Sequence, residues 1–295
     1  MNTALNNIQM VSLKKDLKKE QRQLFIQRFF SNKLAIIGIV IIVFLTLLAS
    51  IGPMLSAYDP YEMVPEERLV GPSLVHWLGT DNLGRDLFAR IAYGAQVSMG
   101  VGFAVAIITS IFGMIIGLYA SYYRYLDNIL MRICDGLMSF PAILLAIALM
   151  AALGPSIRNV IISLGIVYIP HVARVVRSSA LIIREETYIE AMKAQGASPL
   201  RIIWGHIAPN TLSPLIVQAT FIFANAIIVE AALSFLGAGV PTPDPSWGNI
   251  LYDGKIVIFS SWWMVVFPGI SISLSVLGLN LFGDGLRDIL DPHSK

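Results

Sequence analysis

The sequence predicts an all-α, polytopic membrane protein with six transmembrane helices and both termini cytoplasmic. Three observations carry that prediction. Charged residues make up 14% of the 295 residues, against about 25% in an ordinary soluble domain, and the mean hydropathy is +0.69. Five uncharged stretches, Lys33 to Asp59, Arg90 to Arg124, Asp135 to Arg158, Arg201 to Glu230 and Lys255 to Asp284, are each long enough to cross a bilayer, which takes roughly 20 apolar residues. A sixth runs from Asn159 to about Ala180, interrupted by Pro170, His171, Arg174 and Arg177. The basic residues are also lopsided: with six spans, 16 of the 21 Lys and Arg fall on the side of the N-terminus, which the positive-inside rule makes the cytoplasm.

Residues 1–33 form a cytoplasmic tail in which basic residues flank Leu24, Phe25, Ile26, Phe29 and Phe30. This is the pattern of an amphipathic helix on the inner membrane surface, or of a solvated leader that only sets topology. The first transmembrane helix occupies 34–57; it follows a basic tail too long, and has an apolar run too long, for a cleaved secretory signal. Residues 58–93 make an external segment carrying Asp59, Glu62, Glu66, Glu67, Asp81 and Asp86. The remaining five helices form a core over 94–283, with spans near 95–121, 133–153 (Pro141 inside it), 157–179, 212–235 and 262–282, and with a polar loop over 181–211. Arg174 and Arg177 mark the inner end of the fourth span. The prolines of "GAGVPTPDPSWGN" at 237–249 exclude a continuous helix there, and Trp247, Trp262 and Trp263 suit an outer interface. Residues 284–295 form a cytoplasmic tail.

The polar loop is the part that an apolar protein least needs. In "EETYIEAMKAQGASPLRIIWGHIAPN" at 185–210, Ile182, Ile183, Ile189 and Met192, with Ala191 and Ala194, lie near one helical face. Gly196 can adopt the left-handed conformation that stops a helix. Ser198 followed by Pro199 starts another: a side-chain cap, then a residue whose missing N–H costs nothing there. The chain then returns to the membrane near Pro209. Small residues at 191 and 194 admit close approach by a partner, so the loop reads as a rigid docking elbow; an ordinary amphipathic connector remains the alternative.

Glu230, in "NAIIVEAALSFLG", is an ionisable group inside the fifth span and so a functional candidate. With Asn225 and Gln218 on the same helix it is a candidate for lining a translocation path, and it could instead be hydrated near the outer surface or paired with a partner. In the external "HWLGTDNLGRDLFARIAYG", Gly79 and Gly84 mark turns and Arg85 could pair with Asp86. Asp81, Asn82 and Asp86 depart from the spacing of a calcium loop. The four histidines sit in different segments, and Cys134 is the only cysteine, so neither a histidine metal site nor a disulfide is indicated. No H-E-x-x-H, G-x-S-x-G or G-x-x-x-x-G-K-[ST] occurs, so the chain is read as no enzyme and cannot cradle ATP. The net charge of +2 gives no sign of nucleic-acid binding, since topology accounts for the basic residues.

The stretch Glu190, Ala191, Met192, then Gly196 and, further on, His206, Ile207, Ala208 and Pro209 resembles the EAA signature of permeases of ATP-binding-cassette importers. Met192 and Ala208 depart from it. "NKLAIIGIVIIVFLTLLASIGPMLSAYDP", "HWLGTDNLGRDLFARIAYGAQVSM", "SFLGAGVPTPDPSWGNIL" and "FPGISISLSVLGLNLFGDGLRDILDP" resemble, in order, segments of the C-type permease of the dipeptide, oligopeptide and nickel branch. The resemblance implies a type I importer permease fold in a bacterial inner membrane. It implies half of a translocation pathway, most often for di- or oligopeptides, with a nickel or metallophore complex or a glutathione-type peptide as alternatives. It makes Glu190, Ala191, Gly196, Ser198, Pro199 and Pro209 the coupling residues toward an ATPase. It also implies a B-type sister permease in a heterodimer, two ATPase subunits that bind ATP and Mg, and an external substrate-binding protein, with no cofactor in this chain. A rival of another class, an ion-gradient-driven secondary transporter using Glu230, is weakened by the absence of an internal repeat. A non-transporting scaffold is a further rival.

Overall fold

The computed structural model describes residues 20, 23 and 27–290. The amphipathic-tail reading of residues 1–33 falls mostly outside them, as does the end of the 284–295 tail. Residues 27–31 are helical. Helix α1 (Lys33–Leu55) follows, opened by Asn32, whose Oδ1 accepts the Ala35 N–H at 3.1 Å. The others are α2 (Leu87–Tyr122), α3 (Arg124–Met138), α4 (Ala142–Leu153), α5 (Ile157–Arg184), α6 (Thr187–Ala194), α7 (Pro199–Ile202), α8 (Ala208–Asn210), α9 (Leu212–Phe235), α10 (Trp247–Gly254) and α11 (Trp263–Leu290). A π-helical turn, Ile203–Ile207, joins α7 to α8.

Five helices, α1, α2, α5, α9 and α11, are long and apolar enough to cross a membrane. The pair α3–α4 makes a sixth crossing if it traverses as one unit, but it is bent by 92°. This corrects the continuous span expected at 133–153. Pro141 sits at the break, before α4, where its ring and absent N–H favour a helix start over a helix interior. Helix α3 is amphipathic and is held against α5 by charge: Arg177 donates from both Nε and Nη2 to the Asp127 carboxylate (2.5 and 2.6 Å), and Arg174 Nη2 reaches Asp135 at 2.5 Å. Three other boundaries move. Helix α2 begins at Leu87 instead of near 95, because Asp86 caps it by accepting the Ala89 N–H at 2.8 Å. Helix α5 runs on to Arg184, so Arg174 and Arg177 lie within it. Helix α11 continues to Leu290, past the expected end of the core at 283.

Small residues set how closely the spans approach, as expected where lipid offers no hydrophobic drive between helices. The most extensive packing, α2 on α5, is built on Gly113 and Gly117. A Cβ on Gly113 would lie 2.6 Å from Val172 Cβ, and one on Gly117 2.6 Å from the Ala173 carbonyl oxygen. The second contact, α1 on α11, brings Gly38 to the Phe282 backbone and Ala35 to Gly285. Helix α9 packs between α2, α5 and α11. At the inner end of the bundle Arg184 of α5 donates to the Ser121 carbonyl of α2 at 2.6 Å, and Asn32 Nδ2 to Asp288 of α11 at 3.4 Å.

Replacing Gly117 by Val is expected to lower stability by about 1–3 kcal/mol, the usual cost of overpacking. Gly100→Val, where an added Cβ meets nothing within 4 Å, is the control. Unfolding of the purified protein in SDS–detergent titrations checks this; equal midpoints would remove the close approach of α2 and α5 as a determinant of stability.

Candidate functional site

The polar elbow is a formed element. Gly196 ends α6 at φ +79°, and the two bonds of a left-handed helix stop are present: the Gly196 N–H reaches the Lys193 carbonyl and the Ala197 N–H the Met192 carbonyl, each at 3.0 Å. A Cβ at Gly196 would meet no heavy atom within 4 Å, so the demand for glycine is conformational and not one of space. Ser198 occupies the cap position of α7 but its side chain makes no capping bond, a correction to the reading that gave it one; the start is set by Pro199 at the first helical position. Ile189, Ile202, Ile203 and Ile207 are all fully buried and join the same apolar cluster as Leu118, Val176 and Ala180. Those four anchors root the elbow in α2 and α5. On the outside, Glu190, Ala191, Gly196, Ser198, Pro199 and Pro209 are all exposed, flanked by the exposed large apolar side chains Tyr188, Leu200 and Trp204.

At the opposite end of the bundle, a compact polar knot fixes the 58–93 region. Asp81 accepts the backbone N–H of Leu83 and Arg85 on Oδ1 (2.8 and 3.0 Å) and the Arg85 Nε on Oδ2 (2.6 Å). The buried Arg90 lies 3.4 Å from the same Oδ2 and donates to the Pro60 carbonyl at 3.1 Å. Arg85 thus pairs with Asp81 and, at 3.1 Å, with Asp253 on α10, rather than with Asp86. Burial pushes the Asp253 carboxyl above its ordinary range, and Arg85 draws it back. Asp86 is taken up by its cap and by His76, whose Nδ1 is 2.9 Å from Oδ2 while Nε2 is 3.1 Å from Glu67. Trp263 donates to the Thr80 carbonyl and Trp247 to the Ile91 carbonyl, both at 3.1 Å. Only Trp262 of the three tryptophans is on the surface, at 53% exposure; the other two are core residues.

Glu230 is fully buried. Its Oε2 accepts from Ser98 on α2 at 2.9 Å and its Oε1 from Ser234 at 2.8 Å. Each hydroxyl in turn accepts a backbone N–H from the 237–249 segment: Trp247 on Ser98 (3.2 Å) and Val240 on Ser234 (3.1 Å). The carboxylate therefore ties α2, α9 and the outer loop into one node. Asn225 is exposed and Gln218 half-exposed; they share one open face of α9, and Glu230 lies on the opposite, buried side. The expected single stripe of Gln218, Asn225 and Glu230 does not exist, because the five-residue step from 225 to 230 turns the helix by about 140°. The sequence showed the polar residues; the two serines that receive Glu230 carry no signal of their own in an apolar run.

A family model described as the binding-protein-dependent transport system inner membrane component matches residues 109–295. A second, the N-terminal TM domain of oligopeptide transport permease C, matches residues 20–72. The chain is 51% identical over 265 residues to a dipeptide transport system permease protein of Alkalihalophilus pseudofirmus, covering 90% of this chain and 87% of that one. It is 49% identical over 280 residues to a putative peptide transport system permease protein of Brucella abortus, covering 95% of each. It is 40% identical over 294 residues to a glutathione transport system permease protein of Escherichia coli, covering 99% and 96%. Among solved structures, the MetNI methionine ABC transporter in inward-facing conformations shares the fold, with a TM-score of 0.54 at 21% identity over 67% of this chain and 95% of that one.

Glu230→Ala is expected to loosen the outer loop, since it strands two buried hydroxyls at about 1–3 kcal/mol each; Glu230→Gln, which keeps an acceptor and shape, is expected to do so far less. Amide hydrogen exchange at Val240 and Trp247 reads the difference. Unchanged protection in Glu230→Ala would show that the node does not hold the loop.

Proposed function

Because the chain belongs to the family of binding-protein-dependent transport inner-membrane components, we propose that it forms one half of the membrane pathway of an ATP-driven importer of di- or oligopeptides. Its relatives named for peptide and dipeptide transport support the substrate class, each across most of both chains. The relative named for glutathione transport carries a second reading, a glutathione-type peptide, within the same chemistry. The implied assembly is a heterodimer with a B-type sister permease, two ATPase subunits that bind ATP and Mg, and an external substrate-binding protein. The chain itself carries no cofactor in this reading.

The observation that carries the coupling role is the elbow over 186–203. A segment that only connects two spans has no need of four fully buried isoleucines, Ile189 on α6, Ile202 on α7 and Ile203 and Ile207 on the π-helical turn. Anchored this way, the elbow as a whole moves with α2 and α5, so a displacement applied at Glu190, Ala191 and Pro199 reaches the spans without being absorbed in a soft joint. Closure of the ATPase pair on ATP would push the elbow, and the spans would open outward to receive substrate; hydrolysis would return them. Basic residues concentrated at the elbow end put that surface in the cytoplasm, where ATP is.

The test is purification of the complex from its own membranes with ATP-driven dipeptide uptake in vesicles. Gly196→Val is expected to abolish coupled uptake, because a β-branched residue is a genuine outlier at positive φ. Gly196→Asn, which tolerates that conformation, is expected to retain most of it. Rewriting 186–203 should release the ATPases. Uptake unchanged by Gly196→Val would count against the coupling role.

A further inference from the structure

Hydrocarbon offers no hydrogen-bond partner, so a polar side chain on a membrane-spanning helix is bonded inside the protein or faces something other than lipid. Along α1 and α2 the exposed or half-exposed serine, threonine and amide side chains are each bonded inside the chain: Thr46 to the Ile42 carbonyl (2.8 Å), Ser50 to Thr46 (2.7 Å), Gln96 Nε2 to Ala49 (2.8 Å) and Ser110 to Ala106 (2.6 Å). These faces suit lipid. On α9 and α11 the pattern breaks. Among the described residues, Ser213 at the inner start of α9, and then Gln218, Asn225, Ser273 and Asn280 further along α9 and α11, are exposed or half-exposed and their side chains make no hydrogen bond within the chain.

The last four are not scattered. Gln218 and Asn225 are seven residues apart, as are Ser273 and Asn280, so each pair stacks on one face of its helix. The two helices run antiparallel, and a Cβ on Gly283 would meet Phe221 Cζ at 3.4 Å and clash with Thr220 Oγ1. That register puts Asn280 within about half a helical turn of the level of Asn225. At the inner end Gln218 also lines a hollow of about 410 Å³, together with Val217 and Phe221 of α9, Val175 of α5 and Arg287 and Leu290 of α11.

We propose that the furrow between α9 and α11, lined by Gln218, Asn225, Ser273 and Asn280, is this chain's share of the substrate passage, and that it is built for the main chain of a peptide. Amide and hydroxyl groups both donate and accept, so they match successive peptide N–H and C=O groups whatever the side chains, whereas a passage for a cation would present carboxylates. Glu230, the one carboxylate on α9, is turned away and committed to Ser98 and Ser234. The proposal rests on the importer reading above and gives that reading its pathway residues, replacing Glu230 and adding α11.

The experiment uses the assembled complex in membranes, in a Cys134→Ser background that first must support dipeptide uptake. Single cysteines are placed at Gln218, Asn225, Ser273 and Asn280, with Phe103→Cys and Ile111→Cys on the apolar face of α2 as controls. Each variant is reacted with a charged methanethiosulfonate, without nucleotide and after trapping with ATP and vanadate. The four furrow cysteines are expected to react at least tenfold faster than the controls in one of the two states, with dialanine slowing reaction at Asn225→Cys and Asn280→Cys. Reaction no faster than the controls in a complex that transports would overturn the furrow while leaving the importer intact. So would fast reaction only after the chain is separated from its partners, which would make this face a sealed permease–permease contact. An unmutated complex that assembles but moves no dipeptide would instead overturn the substrate reading, and the furrow's peptide assignment with it; Cys134→Ala replaces Cys134→Ser as background if the serine variant alone is inactive.

Discussion

A bilayer interior gives polar groups nothing to bond to, and the fold is organised by how each polar group meets that constraint. Glu230 is the sharpest case. A carboxylate deep in an apolar helix is costly unless saturated, and here it is met by Ser98 and Ser234, which also hold the backbone of the outer loop. The same rule shapes the outer end, where Asp81 gathers Arg85, Arg90 and two backbone N–H groups into one buried node. It also explains the break between α3 and α4: Asp127 and Asp135 cannot be laid along a span, so α3 bends away and leaves them against Arg177 and Arg174.

Close approach of the spans follows a second, steric requirement. Gly113 and Gly117 let α2 and α5 meet backbone to backbone, and Gly38 and Gly285 do the same for α1 and α11. The elbow is rooted in that first pair, through Ile189, Ile202, Ile203 and Ile207. In the proposed reading, a push at the elbow surface would reach the two helices with the most extensive contact, α2 and α5, and α2 carries Ser98 of the node that holds the outer loop. The two ends of the molecule are joined by rigid elements of known contact.

Much of the architecture was legible from residue order. Charge-free runs of bilayer length, the excess of basic residues on one side, Gly196 before Ser-Pro, and the prolines of 237–249 each act through local chemistry, and each left a mark at its own position. The misreadings share a cause. Ser198 looks like a cap, but whether its hydroxyl turns to the helix is settled by its surroundings. Trp247 and Trp263 look interfacial by type, yet their N–H groups find the Ile91 and Thr80 carbonyls in the core. Arg85 beside Asp86 looks like a pair, but Asp86 is spent on a cap and on His76.

The sequence by itself determined that this is a multi-helix membrane protein, which end carries the basic residues, and where a polar elbow interrupts it. These follow from hydropathy, charge and backbone preference, which are summed along the chain. Only the tertiary structure decided which polar side chains are consumed inside the bundle and which are left open, because that depends on what a neighbouring helix brings to the same level. Glu230 and Asn225 stand five residues apart and are alike in being polar within an apolar run. A turn of the helix puts the first against two serines and leaves the second on the exposed face.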